Sequence, residues 1–415
     1  MYRFEWFEQV KLGQAARVDA ATAARVSPVV WGLGFTSLLT DVSAEMVNST
    51  LPVYLVLHLH LSPAQYGLID GIYNGFAIAL LSLLAGWLAD RHARQKELAL
   101  AGYGLSTLCK LFLLAASGWS ALLWIVGLDR AGKGLRSAPR DALISLNTPA
   151  SQYAGAFAVH RALDACGSLL GPVAAFVLLA QLPGAFDAVW VTSFVFGLLG
   201  LAVLWCFVPR PAPTASAHAP QADAPAGGRW ITRRFLLLAG CGALLALATI
   251  SDGFIYLLLQ QRHPAATGYF PLFYVVTAAA YMLLSVPAGR VADRFGRGRV
   301  FLGGYAVLIA LYAVLMGSNG LSVAAVIGCL CLLGLFNAGT EGVLMALASA
   351  EVPAARRTTG LALIATAVGI AKLLSSVLFG ALWQHWGTAT AVPVFIAALG
   401  LALLAAHQGL RRIGA

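Results

Sequence analysis

Long apolar runs, each closed by a short polar loop, repeat along the whole chain. Twelve of them reach the roughly 20 residues that a helix needs to cross a bilayer. They lie near 29–58, 65–87, 98–117, 119–138, 154–181, 187–208, 235–261, 268–288, 300–318, 321–346, 359–384 and 388–409. Gly, Ala and Ser recur within these runs at close spacing, which lets helices approach tightly in lipid. No strand-like alternation persists over a useful length, so the pattern predicts an all-α membrane protein and not a β-barrel.

The polar stretches divide the chain. They predict a cytoplasmic N-terminal segment at 1–27, a six-helix bundle at 28–208 and a cytoplasmic linker at 209–234. A second six-helix bundle at 235–409 and a cytoplasmic C-terminus at 410–415 follow. Pro209 to Gly228 is low-complexity and cannot form a packed core, as suits a flexible linker. The first segment carries Glu5, Glu8 and Asp19 and lacks a compact apolar core, so it is not a secretory signal. Its Tyr2, Phe4, Trp6 and Phe7 suit either a helix lying on the membrane or a disordered tail.

Composition agrees: 60% of residues are hydrophobic and 11% charged, too apolar for a soluble chain of 415 residues. The net charge of +10 is not a nucleic-acid footprint, because the basic residues are sorted by loop. Arg91, Arg94, Lys96, Arg233, Arg234, Arg290, Arg294, Arg297, Arg299, Arg411 and Arg412 fall on the side of the termini; the opposite loops offer only Arg262. Positive charge resists translocation, which predicts that both termini are cytoplasmic. All six cysteines fall inside predicted spans, where they read as small packing residues and not as disulfides or a metal site.

Half the chain echoes the other half. Gly86-Trp-Leu-Ala-Asp90-Arg91-His-Ala-Arg94 returns as Gly289-Arg-Val-Ala-Asp293-Arg294-Phe-Gly-Arg297, 203 positions later. Ser49-Thr-Leu-Pro-Val-Tyr-Leu55 aligns with Ser251-Asp-Gly-Phe-Ile-Tyr-Leu257, and Gly127-Leu-Asp-Arg-Ala-Gly132 with Gly334-Leu-Phe-Asn-Ala-Gly339. Parallel repeats of this kind place a site between the halves near the bilayer centre.

With these motifs in hand, the chain resembles the major facilitator superfamily over essentially its whole length. The G-x-x-A-D-R-x-x-R loops match that superfamily's signature after spans 2 and 8, with Ala93 where the usual pattern has glycine. Arg130-Ala-Gly-Lys-Gly134 resembles the span 4 motif R-x-x-x-G, and Gly167-Ser-Leu-Leu-Gly171-Pro172 the span 5 motif of antiporters. The glycines that usually follow the latter are here Ala175 and Phe176. Val47-Asn48-Ser-Thr-Leu-Pro52 is similar to the V-N-x-x-L-P element of drug–proton antiporters. The resemblance implies a cytoplasmic latch that stabilises an outward-facing state. In it Asp90 would cap span 11 and Asp293 span 5, while Arg91, Arg94, Arg294 and Arg297 hold acidic or carbonyl groups and Gly86 and Gly289 allow close approach.

Charges inside apolar spans are costly and so point to function. Asp41 and Glu45 in span 1 stand four apart, on one helix face, and form a candidate proton carrier; a fixed ion pair with a neighbouring helix is the bland alternative. Span 4 carries Asp129, Arg130 and Lys133, and span 5 His160, Arg161 and Asp164. Spacing puts Arg130 beside Lys133 and Arg161 beside Asp164, and these fixed charges sum to about plus one, which would favour a carboxylate or phosphate on a substrate. A self-neutralising structural network is the competing reading. Asp252, Glu341 and Lys372 are the embedded charges of the second half, where Lys372 and Glu341 can pair with each other.

The sequence therefore leads to a secondary transporter working by alternating access: proton-coupled efflux of a small organic compound, an anionic one among the candidates. Uptake of an acidic solute, or export of a metal ion or chelate, is the alternative. No nucleophile elbow, H-E-x-x-H pair or phosphate-binding loop is present, so no enzyme activity and no cofactor are expected. The expected partners are the lipid bilayer, a small-molecule substrate and protons, with no nucleic acid. A monomer in a bacterial inner membrane suffices, since both halves lie on one chain.

Overall fold

The computed structural model describes residues 27–75, 78–92, 94–116, 118–149, 152–209, 231–317, 320–353 and 357–413. Among them are fourteen α-helices and no strand. They are α1 (Pro28–Val53), α2 (Pro63–Gly75), α3 (Ile78–His92), α4 (Gln95–Leu114), α5 (Trp119–Leu146), α6 (Tyr153–Gln181) and α7 (Phe186–Phe207). Then come α8 (Arg233–Leu247), α9 (Asp252–Arg262), α10 (Phe270–Phe295), α11 (Arg297–Met316), α12 (Val323–Glu351), α13 (Arg357–Trp386) and α14 (Thr388–Ile413).

Nine stretches of the described residues are long and apolar enough to cross a membrane. The expected spans missing from that group are α1, the α2–α3 stretch and α5. In α1 Asp41 and Glu45, and in α5 Asp129, Arg130, Lys133, Arg136 and Arg140, lower the apolarity, while residues 76–77 of the α2–α3 stretch lie outside the described residues.

One expected span differs in form: the run at 235–261 is broken into α8 and α9. At this break the released backbone groups are taken up by side chains: the Tyr312 hydroxyl accepts from Ile250 N at 2.7 Å, and Ser375 Oγ donates to Thr249 O at 2.5 Å. Irregular backbone at membrane depth is tolerated where protein satisfies it in this way. Ser251 then caps α9 by accepting from Phe254 N at 3.4 Å. In α1 the ring of Pro52 removes one intrahelical donor, and a π turn over Tyr54–His58 closes the helix.

Helices α1 to α7 pack mainly on one another, with α6 and α7 on α1 and α5 on α4; α8 to α14 do the same, with α12 between α10 and α11 and α13 against α8. The two groups meet chiefly through α2 against α13 and α6 against α10. The α2–α13 crossing is backbone-close. A methyl on Gly67 would lie 2.5 Å from Ser376 O, one on Gly75 2.3 Å from Gly369 O, and one on Gly380 2.4 Å from Pro63 O. The Gly75–Gly369 contact lies nearer the middle of α13, and the Gly67–Ser376 and Gly380–Pro63 contacts toward the ends of α2 and α13 remote from the termini. Phe176 stacks on Tyr269 at 5.8 Å on the same side. On the side of the termini nothing would lie within 4 Å of a methyl on Gly289, and Trp87, Arg91, Arg94 and Phe295 are exposed. The groups are thus packed tightly on the far side, while loop residues on the terminal side stand exposed.

Candidate functional site

The embedded charges of the first half gather where α1, α4, α5 and α6 meet. Asp129 accepts from Lys110 of α4 and from Arg130 Nε and Nη2 at 3.1 and 2.5 Å. The Arg130 guanidinium also lies over the Tyr73 ring of α2, 3.8 Å from its centre, a cation–π contact in a buried setting. The sequence spacing set Arg130 beside Lys133; the structure gives it Asp129 and Tyr73 as partners. Lys110 enters the cluster from α4, which no same-helix spacing could reveal.

About two turns further along α5, Arg136 Nη2 stands 3.4 Å from Asp41 Oδ1 and its guanidinium lies 4.4 Å from the centre of the Tyr103 ring. Asp164 of α6 lies within electrostatic range of Asp41, where α6 meets α1. It accepts from Ser37 Oγ at 3.1 Å, while Arg140 Nη1 lies 4.0 Å away and Arg140 pairs more closely with Asp141 at 3.0 Å. Two neighbouring carboxyls disfavour being charged together, which makes the pair a candidate for taking up and releasing a proton. Glu45 faces the same junction and accepts from Asn48 Nδ2 at 2.7 Å. Lys133 is within electrostatic range of Asp41 and Glu45. His160 is buried, its Nε2 without a hydrogen-bond partner among the described residues. Arg161, expected beside Asp164, is exposed instead.

Gly167 and Gly171 explain how α1 comes so near. A methyl on Gly167 would lie 2.5 Å from Leu38 O, and one on Gly171 2.8 Å from the Glu45 Cβ. The span 5 motif therefore lays α6 on the carboxylate-bearing face of α1, with Pro172 following inside α6.

A cavity of about 480 Å3 opens mostly within the second half. Its lining includes Asp252 at the start of α9, Asn337 and Glu341 of α12 and Lys372 of α13, with Asn74 from the first half. Lys372 Nζ lies 3.9 Å from Glu341 Oε1, the pairing the sequence allowed, and Asn337 Nδ2 donates to Asp252 Oδ2 at 3.4 Å. Asn337 occupies the repeat position of Arg130, so the same station that holds a carboxylate in one half holds one in the other.

The loop residues are apart from these clusters. Arg297 Nε and Nη2 bond Asp293 Oδ1 at 3.1 and 3.0 Å on an exposed surface, so Asp293 pairs with its own loop here and not with α6. Arg294 sits against Phe295, 5.4 Å from its ring centre, and Arg91 against Trp87 at 5.2 Å. The side chain of Asp90 lies outside the described residues. Gly86 does sit at a close approach, with 3.1 Å from a methyl to Ala138 Cβ; Gly289 does not in this conformation. Gly296 takes φ of +100°, open to glycine, where the first copy has Ala93.

Sequence reasoning gave little weight to Asp70. It is buried, accepts from Asn74 Nδ2 at 3.0 Å and Tyr66 OH at 3.4 Å, and accepts from Ser376 Oγ across the α2–α13 crossing. A lone acid in an apolar run is the signal that could have found it; its partner stands 306 positions away.

The family model of the Major Facilitator Superfamily matches residues 33–279 and 255–410. An uncharacterized MFS-type transporter of Methanocaldococcus jannaschii is 28% identical over 367 residues, which cover 86% of this chain and 89% of that one. Among solved structures, the nucleoside transporter NupG superposes with a TM-score of 0.76 at 14% identity, covering 92% of this chain and 99% of its own. A bacterial homologue of the human lysosomal transporter Spinster, in an inward-facing and occupied conformation, gives 0.70 at 15% identity over 92% of this chain and 96% of its own. At these identities the structural likeness speaks for the fold alone.

Proposed function

The chain belongs to the Major Facilitator Superfamily and is a multi-pass integral membrane transporter, and on that premise we propose that it is a proton-coupled secondary transporter that exports a small organic compound by alternating access. The observation that carries the coupling is the Asp41–Asp164 pair, held with Arg136 where α1, α5 and α6 meet. Moving a proton on or off this pair changes how strongly Arg136 and Arg140 are held, and with them the fit of α5 on α1 and α6. Glu45, Arg130, Lys133, His160 and Arg161 extend the same polar tract.

We read α1, α2 with α3, and α5 as crossing the membrane too, since α1 packs on α6 and α7, α2 and α3 on α13, and α5 on α4, which gives twelve crossings in two six-helix bundles. Both termini and the 209–234 linker then lie in the cytoplasm, consistent with the basic loops. We read the tight far-side packing with exposed terminal-side loops as an inward-facing state. In the opposite state the Gly86–Arg94 and Gly289–Arg297 loops close on α13 and α6, and Asp293 exchanges Arg297 for the end of α6. One chain carries the complete pathway, so a monomer in a bacterial cytoplasmic membrane is sufficient. The described residues hold no group of three or more His, Cys, Asp and Glu, so metal export gains no support from them.

The test is proton flux into proteoliposomes loaded with a pH-sensitive dye, challenged in turn with amines, organic acids, sugars and antibiotics. At least one class should move protons, and Asp41→Asn or Glu45→Gln should reduce that flux by about tenfold or more while leaving protein yield near wild type. Intact proton flux in both variants would remove α1 from the coupling mechanism.

A further inference from the structure

The roughly 480 Å3 cavity has the size of a drug-like ligand's pocket, and its charges do not balance. Lys372 forms its salt bridge with Glu341, at 3.9 Å, and also lies within electrostatic range of Asp252. Asp252 accepts from the Asn337 amide at 3.4 Å, and among the described residues it forms no salt bridge of its own. Its place in the first turn of α9 offsets part of its charge, since a helix N-terminus carries about half a positive elementary charge. The rest faces the cavity. A wall of the same cavity is aromatic: Tyr305 lies edge-on to Phe301 at 5.3 Å and to Phe336 at 5.2 Å. A carboxylate without a salt bridge beside ring faces is the arrangement that holds an organic cation.

The first half supplies no competing attraction for an anion at this place. Arg130 is bound to Asp129 and covered by Tyr73, and Arg136 to Asp41 and Tyr103, and neither lines the cavity. An anionic ligand would meet Asp252 and Glu341 with only Lys372 in its favour. The cation surplus read from spans 4 and 5 therefore does not describe the larger pocket.

We propose that this cavity binds an amine-bearing organic cation with an apolar body, and that Asp252 is its counter-ion. The inference rests on the transport reading above and names the substrate class of that same pathway. The bound cation gives Asp252 the salt bridge the fold omits, while Tyr305, Phe301 and Phe336 receive the apolar body. Asn74 contributes a polar contact from the other half, so the ligand touches both groups of helices at once.

The test compares three molecules of one shape by calorimetric titration into purified protein: tryptamine, tryptophol and indole-3-propionate. Tryptamine should bind about tenfold or more tightly than tryptophol, with indole-3-propionate weakest. Asp252→Asn should weaken tryptamine about tenfold and leave tryptophol unchanged. Should that variant fail to fold, Lys372→Met provides a second reading: it frees Glu341 and should tighten tryptamine binding. Equal affinity for the three, preference for the acid, no binding of any at millimolar concentration, or an unchanged tryptamine affinity in the folded Asp252→Asn protein would each overturn the proposal. Such a failure is distinct from failure of the transport reading. A protein that moves protons with organic acids, but ignores tryptamine, keeps its function and loses this substrate class.

Discussion

At the residue scale, the decisive feature is that buried charges are held in a chain of partners and not as isolated ions. Asp129 stands between Lys110 and Arg130, both almost wholly enclosed, with 4% and 5% of their side chains exposed. Removing the carboxylate with Asp129→Asn strands two cations in a region where neither water nor lipid can stabilise them. Breaking a buried pair from one side typically costs about 3–5 kcal/mol. The variant should therefore unfold at a clearly lower temperature in detergent, and Lys110→Met added to it should recover part of the loss. An unchanged unfolding midpoint would mean that the pair contributes nothing to the fold. Asp41 differs in kind, because a second carboxyl, Asp164, shares its place. That is why the coupling test falls on α1 and the stability test on α5.

At the element scale, the α2–α13 crossing acts as the far-side closure. Its glycines allow backbone contact, and Asp70 with Ser376 adds one buried polar bond across the seam. Gly67→Val adds three side-chain carbons where the first alone would lie 2.5 Å from Ser376 O, so it should hold the far side open. In a cysteine-free background carrying Ser376→Cys, that change should raise labelling by a membrane-impermeant maleimide several-fold. Labelling as slow as in the unmodified crossing would rule out the closure role. The same scale marks what the sequence could and could not disclose. The helices were legible because apolar run length is a direct consequence of bilayer thickness. The α1 and α5 stretches were legible as weaker runs of the same kind, since Asp41, Glu45 and the α5 cations lower their apolarity. The break between α8 and α9 was hidden, because Ala248-Thr-Ile-Ser251 contains neither glycine nor proline; Tyr312 and Ser375 stabilise it from distant helices. Pairings between helices, such as Lys110 with Asp129, depend on rotation about each axis, which a linear pattern does not encode.

At the scale of the whole molecule, the matched loops and the tight far-side packing suit the proposed rocking of two bundles against each other. Here the far side is sealed by α2 and α13, while Asp293 and Arg297 stand paired with each other on the terminal side. Because α2 with α3 forms one lever against α13, opening one end must close the other. Spin labels report this directly. One pair, His92→Cys with Thr359→Cys, sits at the terminal end of the lever, and another, Ser62→Cys with His385→Cys, at the far end. Double electron–electron resonance distances for both pairs, taken in nanodiscs across acidic to alkaline pH, should shift in opposite senses: as the terminal pair shortens, the far pair lengthens. Two distances that stay fixed, or that lengthen together, would contradict alternating access in this protein.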